Sequence, residues 1–167
     1  MDEAATEGEW RKWVEQYTPK FLLFARQKAS TEADAQDLVQ EAVLEATQRQ
    51  LNGGLPPAAL VFATIHRRAI DLARRDERRL NREHVAAESA GTSWFDNTME
   101  DREMKQLVEG ALRRLPELYR EVVMLKIWGE LTFAEVASVL GIPANTAASR
   151  YRYGLTEMRK LMKGVLA

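Results

Sequence analysis

The residues with the clearest capacity for chemistry are carboxylates and guanidinium groups set at helical spacing. Asp34, Asp37, Glu41 and Glu45 recur every three or four positions with Gln40 at their flank, which on a helix gathers them on one mostly acidic face. Neighbouring carboxylates can share acid–base work, but that needs a cleft and a raised pKa. An exposed face of this kind is better suited to docking a basic partner. Arg67, Arg68, Arg74, Arg75, Arg78, Arg79 and Arg82 crowd a second short stretch, and Arg150, Arg152, Arg159, Lys160 and Lys163 form a third. Either basic run alone would read as a solvated helix face. Two of them, each on a predicted helix, are the electrostatic footprint of a phosphate backbone.

Other chemistries lack their parts. The chain has no cysteine, which removes disulfides, thiolate metal sites and a cysteine nucleophile, and His66 and His84 are its only histidines. There is no nucleophile elbow, no phosphate-cradling glycine loop and no metal-ligand cluster, so the sequence calls for no cofactor and no metal, and does not read as an enzyme. The 167 residues carry a formal net charge of -1, an average that conceals the polarised distribution above. No apolar run is long enough to span a bilayer, so no membrane insertion is expected. The acidic start Asp2, Glu3, Glu7, Glu9 lacks the layout of a signal peptide, and the expected location is the cytoplasm.

The most specific pattern runs from Leu131 to Pro143 and spells a helix-turn-helix. Thr132 and Glu135 stand three apart as a capping box, Val136 and Leu140 face inward, and Ala137 is small where two helices cross. Gly141 suits the left-handed residue of the turn, and Pro143 presets the start of the following helix, in which Ala147 and Tyr151 face inward. The opposite face then presents Asn145, Thr146, Ala148, Ser149, Arg150, Arg152 and Tyr153, a mixture suited to phosphate anchoring and base-edge hydrogen bonds in a major groove.

Elements that would position these faces follow from apolar periodicity. Trp10, Trp13, Val14, Tyr17, Phe21, Phe24 and Ala25 mark an amphipathic helix, bent or interrupted at Pro19, whose aromatics are core. Thr31 and Asp34 resemble a second capping box before the stripe Ala35, Leu38, Val39, Ala42, Val43 and Ala46, and Asn52-Gly53-Gly54 with Pro56-Pro57 ends that helix. A third helix runs from about Ala58 to about Val85 with Val61, Phe62, Ile65, Ala69 and Leu72 turned inward. A fourth carries Met104, Leu107, Val108, Ala111, Leu112 and Leu115; a fifth carries Leu118, Val122, Leu125 and Ile127 inside and turns at Gly129. The expected architecture is all-α, with two small helical domains at residues 1–86 and 99–167 joined by a flexible linker at 87–98. Trp94 and Phe95 within that linker are read as a hydrophobic tether to their own domain.

Two segments resemble the extracytoplasmic-function sigma factors, promoter-specificity subunits of bacterial RNA polymerase. Asp34-Ala35-Gln36-Asp37-Leu38-Val39-Gln40-Glu41 is similar to the family's region two, and Leu115-Pro116-Glu117-Leu118-Tyr119-Arg120-Glu121-Val122 with the helix-turn-helix is similar to region four. The resemblance covers about Trp10 to about Met162 in the family's order. It implies that Asp34, Asp37, Leu38, Gln40 and Glu41 dock on the clamp helices of the largest subunit of core RNA polymerase. It implies that Arg67, Arg68, Arg74, Arg75 and Arg78 follow the minus-ten promoter DNA, and that the loop around Asn52 and Gly53 captures an extruded base. The exposed face Asn145 to Tyr153 would read the minus-thirty-five duplex. Leu60 stands where many members carry tryptophan, Arg67 where asparagine is usual, and Ala148 where a basic residue is frequent. Reading would therefore lean on Ser149, Arg150 and Arg152.

Two rivals fit parts of the pattern. A sigma-like mimic that sequesters an anti-sigma factor could discard its basic faces, whereas this chain keeps Arg74, Arg75, Arg78, Arg150 and Arg152. A stand-alone helix-turn-helix regulator would leave the acidic second helix and basic third helix unexplained. An anti-sigma factor is a further expected partner, and the free protein is expected to be a monomer.

Overall fold

The computed structural model describes residues 4–50, 52–83, 93–95 and 102–166; of the helical residues 78–83 and 165–166 only the backbone is described. The helices are α1 (Glu7–Lys28), α2 (Glu32–Gln48), α3 (Ala58–Glu83), α4 (Arg102–Arg114), α5 (Glu117–Ile127), α6 (Phe133–Leu140) and α7 (Ala144–Leu166). No strand occurs among the described residues, and the all-α expectation holds. The chain divides into two compact units, Met1–Ser93 and Trp94–Ala167. Apart from 93–95, the expected linker at 87–98 lies outside the described residues.

In the first unit α1, α2 and α3 pack on one another. Thr6 and Glu9 close a capping box on α1, each backbone N–H donating to the other's side chain at 3.1 Å. Pro19 does not interrupt this helix, which is continuous from Glu7 to Lys28. An interior proline forfeits one hydrogen bond and costs about 3 kcal/mol. Here Trp13 on one side of it and Phe21, Phe24 and Ala25 on the other are all buried on one surface, so packing outweighs the loss. Phe62 of α3 sets its edge against both Phe21 and Phe24, with centroids 5.0 and 5.6 Å away. Val14, expected inside, is 44% exposed. Arg26 near the end of α1 grips Glu32 at the start of α2 through Nε and Nη2, both at 3.0 Å. Thr31 caps α2 by accepting from the Asp34 N–H at 3.1 Å, although Asp34 does not return the bond to complete a box.

The turn into α3 uses the glycine where the backbone demands it. Gly53 has φ +67°, and its carbonyl accepts from the Ala5 N–H at 3.1 Å, so the start of the chain is tied to this loop. Pro57 then offers its carbonyl to the N–H groups of Leu60 and Val61 to begin α3.

The second unit buries Ala111, Leu112 and Leu115 against Val122 to Leu125, Val136, Val139, Ala147 and Met158. Its fifth helix departs from the expected stripe. Leu118 and Ile127 are each 41% exposed, and the buried run is Val122-Val123-Met124-Leu125, because α5 packs against both α6 and α7 and so is covered on two sides. On α4, Met104 is exposed and its neighbour Lys105 is buried. Arg120 reaches back to cap α4, donating to the carbonyls of Leu112 and Leu115 at 3.0 Å. Trp94 and Phe95 are buried on this unit, as the tether reading requires. The turn after α5 places its positive φ at Glu130, not at Gly129. Gly129 is required for space: a Cβ there would lie 2.5 Å from the Leu125 carbonyl oxygen.

Gly154, in the middle of α7, lies at a close approach to α5. A Cβ there would meet Val123 Cγ2 at 2.7 Å, and Tyr119 lies just beyond. Alanine gains about 1 kcal/mol of helix propensity over glycine, but overpacking against a stiff valine costs about 1–3 kcal/mol. Gly154→Ala is therefore expected to lower the thermal midpoint of the protein, and a raised midpoint would show that the crossing has slack.

Candidate nucleic-acid interface

The helix-turn-helix is built by local chemistry. The Glu135 N–H donates to Thr132 Oγ1 at 3.1 Å and the Thr132 N–H donates to Glu135 Oε1 at 3.0 Å, fixing the start of α6. Gly141 ends it with φ +68° in the left-handed region, where a side chain would cost roughly 1–2 kcal/mol. The Ile142 N–H then returns to the Ala137 carbonyl at 3.0 Å, and Pro143 accepts from the Ala147 N–H at 3.0 Å to launch α7. Ala147 is fully buried, and Tyr151 is half-buried with its ring 5.5 Å from Phe133. α7 is thereby locked in rotation.

That rotation decides what the second helix offers. Asn145, Ser149, Arg152 and Tyr153 are exposed, and Thr146, Ala148 and Arg150 are partly exposed. All seven residues singled out from the sequence thus reach the surface of α7. Arg150 has no ion-pair partner among the described residues, and Arg152 leans on Ser149 Oγ at 3.5 Å. Tyr153, 51% exposed, is held at a centroid distance of 4.5 Å by Tyr119 of α5. Tyr119 was not legible as a site residue, because it stands 34 positions away and only the crossing at Gly154 brings it near.

In the first unit, α2 and α3 bring their opposite charges together. Asp37, Gln40 and Glu41 are exposed and Asp34 is partly exposed, but Leu38 is only 4% exposed. Leu38 packs in the core and offers only an edge to the groove between α2 and α3, which Asp34, Asp37, Glu41, Arg68 and Arg75 also line. Glu45, expected on the open acidic face, is instead enclosed by arginines. Arg67 Nη2 donates to both its oxygens at 2.6 Å, Arg68 Nε donates to Oε2 at 3.2 Å, and Arg49 approaches Oε1 at 3.5 Å. Arg68 Nη1 extends the network to Glu41 at 2.9 Å. Burial pushes the Glu45 carboxyl up, but the guanidinium groups of Arg68 and Arg67 outweigh it and hold its pKa below the ordinary value.

Further along α3, Arg74 and Arg75 are exposed and pair with no described residue. The side chain of Arg78 lies outside the described residues. Asn52 and Gly53 are exposed in the loop before α3. Arg49, the C-cap of α2, is the residue of this region that the sequence did not assign; its spacing of four from Glu45 was the available signal. Among the described residues no group of His, Cys, Asp and Glu could hold a metal ion, and no helix is long and apolar enough to cross a membrane.

Residues 13–79 match sigma-70 region 2 and residues 105–158 match sigma-70 region 4. The two matches follow the family's order and take in α2, α3 and the helix-turn-helix. The chain belongs to the extracytoplasmic-function sigma factors. It is 27% identical over 152 residues to an RNA polymerase sigma-E factor of Streptomyces avermitilis, covering 91% of this chain and 84% of that one. To the sigma factor RpoE of Cereibacter sphaeroides it is 26% identical over 171 residues, covering 96% and 88%. The fold is similar to that of RpoE from Bartonella quintana, solved with the anti-sigma factor NepR, at a TM-score of 0.74 and 20% identity over 92% of this chain and 96% of that one. It also resembles CnrH, solved with the cytosolic domain of CnrY, at a TM-score of 0.61 and 20% identity over 96% and 91%.

In this sigma factor the Glu45 network should be visible in the pH dependence of stability. A carboxyl whose pKa is depressed on folding contributes stability above its unfolded pKa, near 4.5, and loses it as pH falls through the lower folded value. Glu45→Gln is expected to remove about 1 kcal/mol of that contribution, so the gap between wild type and variant in urea denaturation should close between neutral pH and pH below about 4. A gap that stays constant with pH would show that Glu45 is not held by its arginines.

Proposed function

We propose that this sigma factor binds core RNA polymerase through α2 and reads promoter DNA with both units, directing transcription initiation in the cytoplasm without catalysing a reaction of its own. Residues 1–86 serve docking and minus-ten recognition, 87–98 are the linker, and residues 99–167 read the minus-thirty-five element. The observation that carries this reading is the Gly141 turn, which commits α7 to an exposed face of hydrogen-bonding and cationic side chains while Ala147 is buried.

The roles divide by charge. Asp34, Asp37, Gln40 and Glu41 on α2, with the edge of Leu38, meet the clamp helices of the polymerase, since an acidic face suits a basic target. Arg67, Arg68, Arg74, Arg75 and Arg78 track the minus-ten strand, with Asn52 and Gly53 at the position of the extruded base. Their donors favour phosphates, which supply affinity but little sequence information. Base reading at the upstream element falls to Asn145, Ser149, Arg150 and Arg152, with Thr146, Ala148 and Tyr153 completing the surface. Arg74 and Arg75, exposed and paired with no described residue, argue for DNA binding over a mimic that only sequesters an anti-sigma factor. Because the structure of RpoE from Bartonella quintana includes the anti-sigma factor NepR, such a factor is the regulator we assign to this chain too.

Pull-down of bacterial core RNA polymerase by the purified chain tests the reading, with Asp37→Arg as the variant. The wild type should retain polymerase and the charge reversal should release it; a wild type that retains none would favour the mimic or a stand-alone regulator. Arg150→Ala in the holoenzyme should weaken promoter binding and reduce the salt slope by about one if the guanidinium meets a phosphate. Unchanged affinity and slope would remove Arg150 from the interface.

A further inference from the structure

Trp94 and Phe95 form an anchor that lies outside the functional surfaces above. Both rings are buried, at 5% and 6% exposure. Both backbone N–H groups donate to one carboxylate oxygen, Glu109 Oε1, at 2.6 and 3.2 Å. The Arg113 guanidinium lies 4.1 Å over the Trp94 ring and Arg120 5.3 Å, while Phe95 sets its edge against Trp128 at 5.3 Å. Arg113 also pairs with Glu109 at 3.4 Å. Charge-assisted bonds to consecutive N–H groups, two buried aromatic rings and a stacked cation make this a fixed attachment of the incoming chain to α4 and α5.

Such an attachment shortens the tether between the two units. From Glu83, the last described residue of α3, the chain takes eleven residue steps to Trp94 but nineteen to Arg102, the first described residue of α4. At no more than about 3.6 Å per step, the covalent reach is roughly 40 Å to the anchor and roughly 68 Å to α4. The difference, about 28 Å, equals the rise of about eight base pairs of duplex. A short tether makes the effective concentration of the second unit fall steeply once its binding site moves beyond reach.

We propose that the Trp94–Phe95 anchor on Glu109, Arg113, Arg120 and Trp128 determines the longest promoter spacer that this sigma factor accepts, by fixing the number of residues between α3 and the point at which the second DNA-reading unit begins. The inference rests on the proposed function, in which both units engage one promoter. It makes Trp94, Phe95 and Glu109 specificity-determining residues although none of them touches DNA. Their effect is on spacing, not on the sequence of either element.

The test uses core RNA polymerase with the full-length chain on templates selected by the wild type from a randomised promoter pool, with the spacer then varied one base pair at a time. Trp94→Ala/Phe95→Ala and, separately, Glu109→Ala should initiate from spacers longer than the optimum about tenfold better relative to wild type, with helix content checked by circular dichroism. An insertion of eight glycine and serine residues within 84–92 leaves the anchor intact and should shift the profile in the same direction. If the insertion broadens the profile and the folded anchor variants do not, the anchor does not set the length; if neither does, spacing is not measured by the tether. Both outcomes overturn the proposal. A wild type that initiates from no template at any spacing instead rejects the proposed function, and the inference falls with it.

Discussion

Glu45 lies among Arg49, Arg67 and Arg68, and the way two oppositely charged helices coexist in the first unit depends on that one carboxylate. An acidic face on α2 and a basic face on α3, packed side by side, must either neutralise each other or be kept apart. The structure does both by position along the helices. Near the end of α2 the charges are joined through Glu45 and Glu41, which fixes how α3 lies on α2. Further along α3, Arg74 and Arg75 are exposed and form no ion pair with a described residue, although Arg75 lines the same groove as Asp34, Asp37 and Glu41. The apolar core of Phe21, Leu38, Phe62 and Ile65 supplies the main burial beneath this network, since exposed pairs contribute only about 0–1 kcal/mol each.

The second unit solves a different problem, that of holding a reading helix in a single rotation with little material. Its turn is left-handed at Gly141, its first helix is closed by Thr132 and Glu135, and its second helix is pressed onto α5 at Gly154. These three contacts act at successive points along α6 and α7. The cost is a helix with glycine at its centre, offset by the approach of Val123 and Tyr119 that only glycine allows. Tyr119 in turn packs against Tyr153 at the edge of the exposed face, so a backbone requirement inside the unit reaches the surface proposed above to read DNA.

The parts of this arrangement that could be read in the sequence are those whose cause is local. The capping box at Thr132, the left-handed Gly141, the proline start of α7 and the inward Ala147 all follow from residues within a few positions of one another, and all are found. The departures have distant causes. Pro19 reads as a bend or an interruption because its cost is local; α1 is not interrupted there, and the packing of Trp13 and Phe21 that offsets the cost involves α3. Leu118 and Ile127 fit an apolar stripe, but a helix covered on two sides buries a consecutive run instead. Glu45 fitted the acidic face by periodicity, and two of its three arginine partners, Arg67 and Arg68, lie more than twenty positions away. Helical periodicity assigns a residue to a face; it does not say which neighbouring helix that face meets.

The bridge from Glu41 through Arg68 to Glu45 has a consequence for how docking and DNA binding coexist. Under the proposed function Glu41 serves the polymerase and Arg68 the promoter, yet they are bonded to each other at 2.9 Å. A partner that engages Glu41 takes a ligand from Arg68 and leaves its guanidinium freer for phosphate. The size of that coupling is bounded by the pair itself: Glu41 is 58% exposed and Arg68 35% exposed, so solvent screening keeps it to about 1 kcal/mol or less, a factor of about five in an equilibrium constant. That is too small for a switch, which needs about 5.5 kcal/mol to move a population from one state to the other. It is large enough to couple the two events modestly, and by linkage the coupling is reciprocal: docking eases phosphate binding at Arg68 by the same factor by which phosphate binding eases docking. The dominant dependence on polymerase must therefore come from the contacts that polymerase itself makes to the two units, and the ion-pair bridge acts as a modest correction to it.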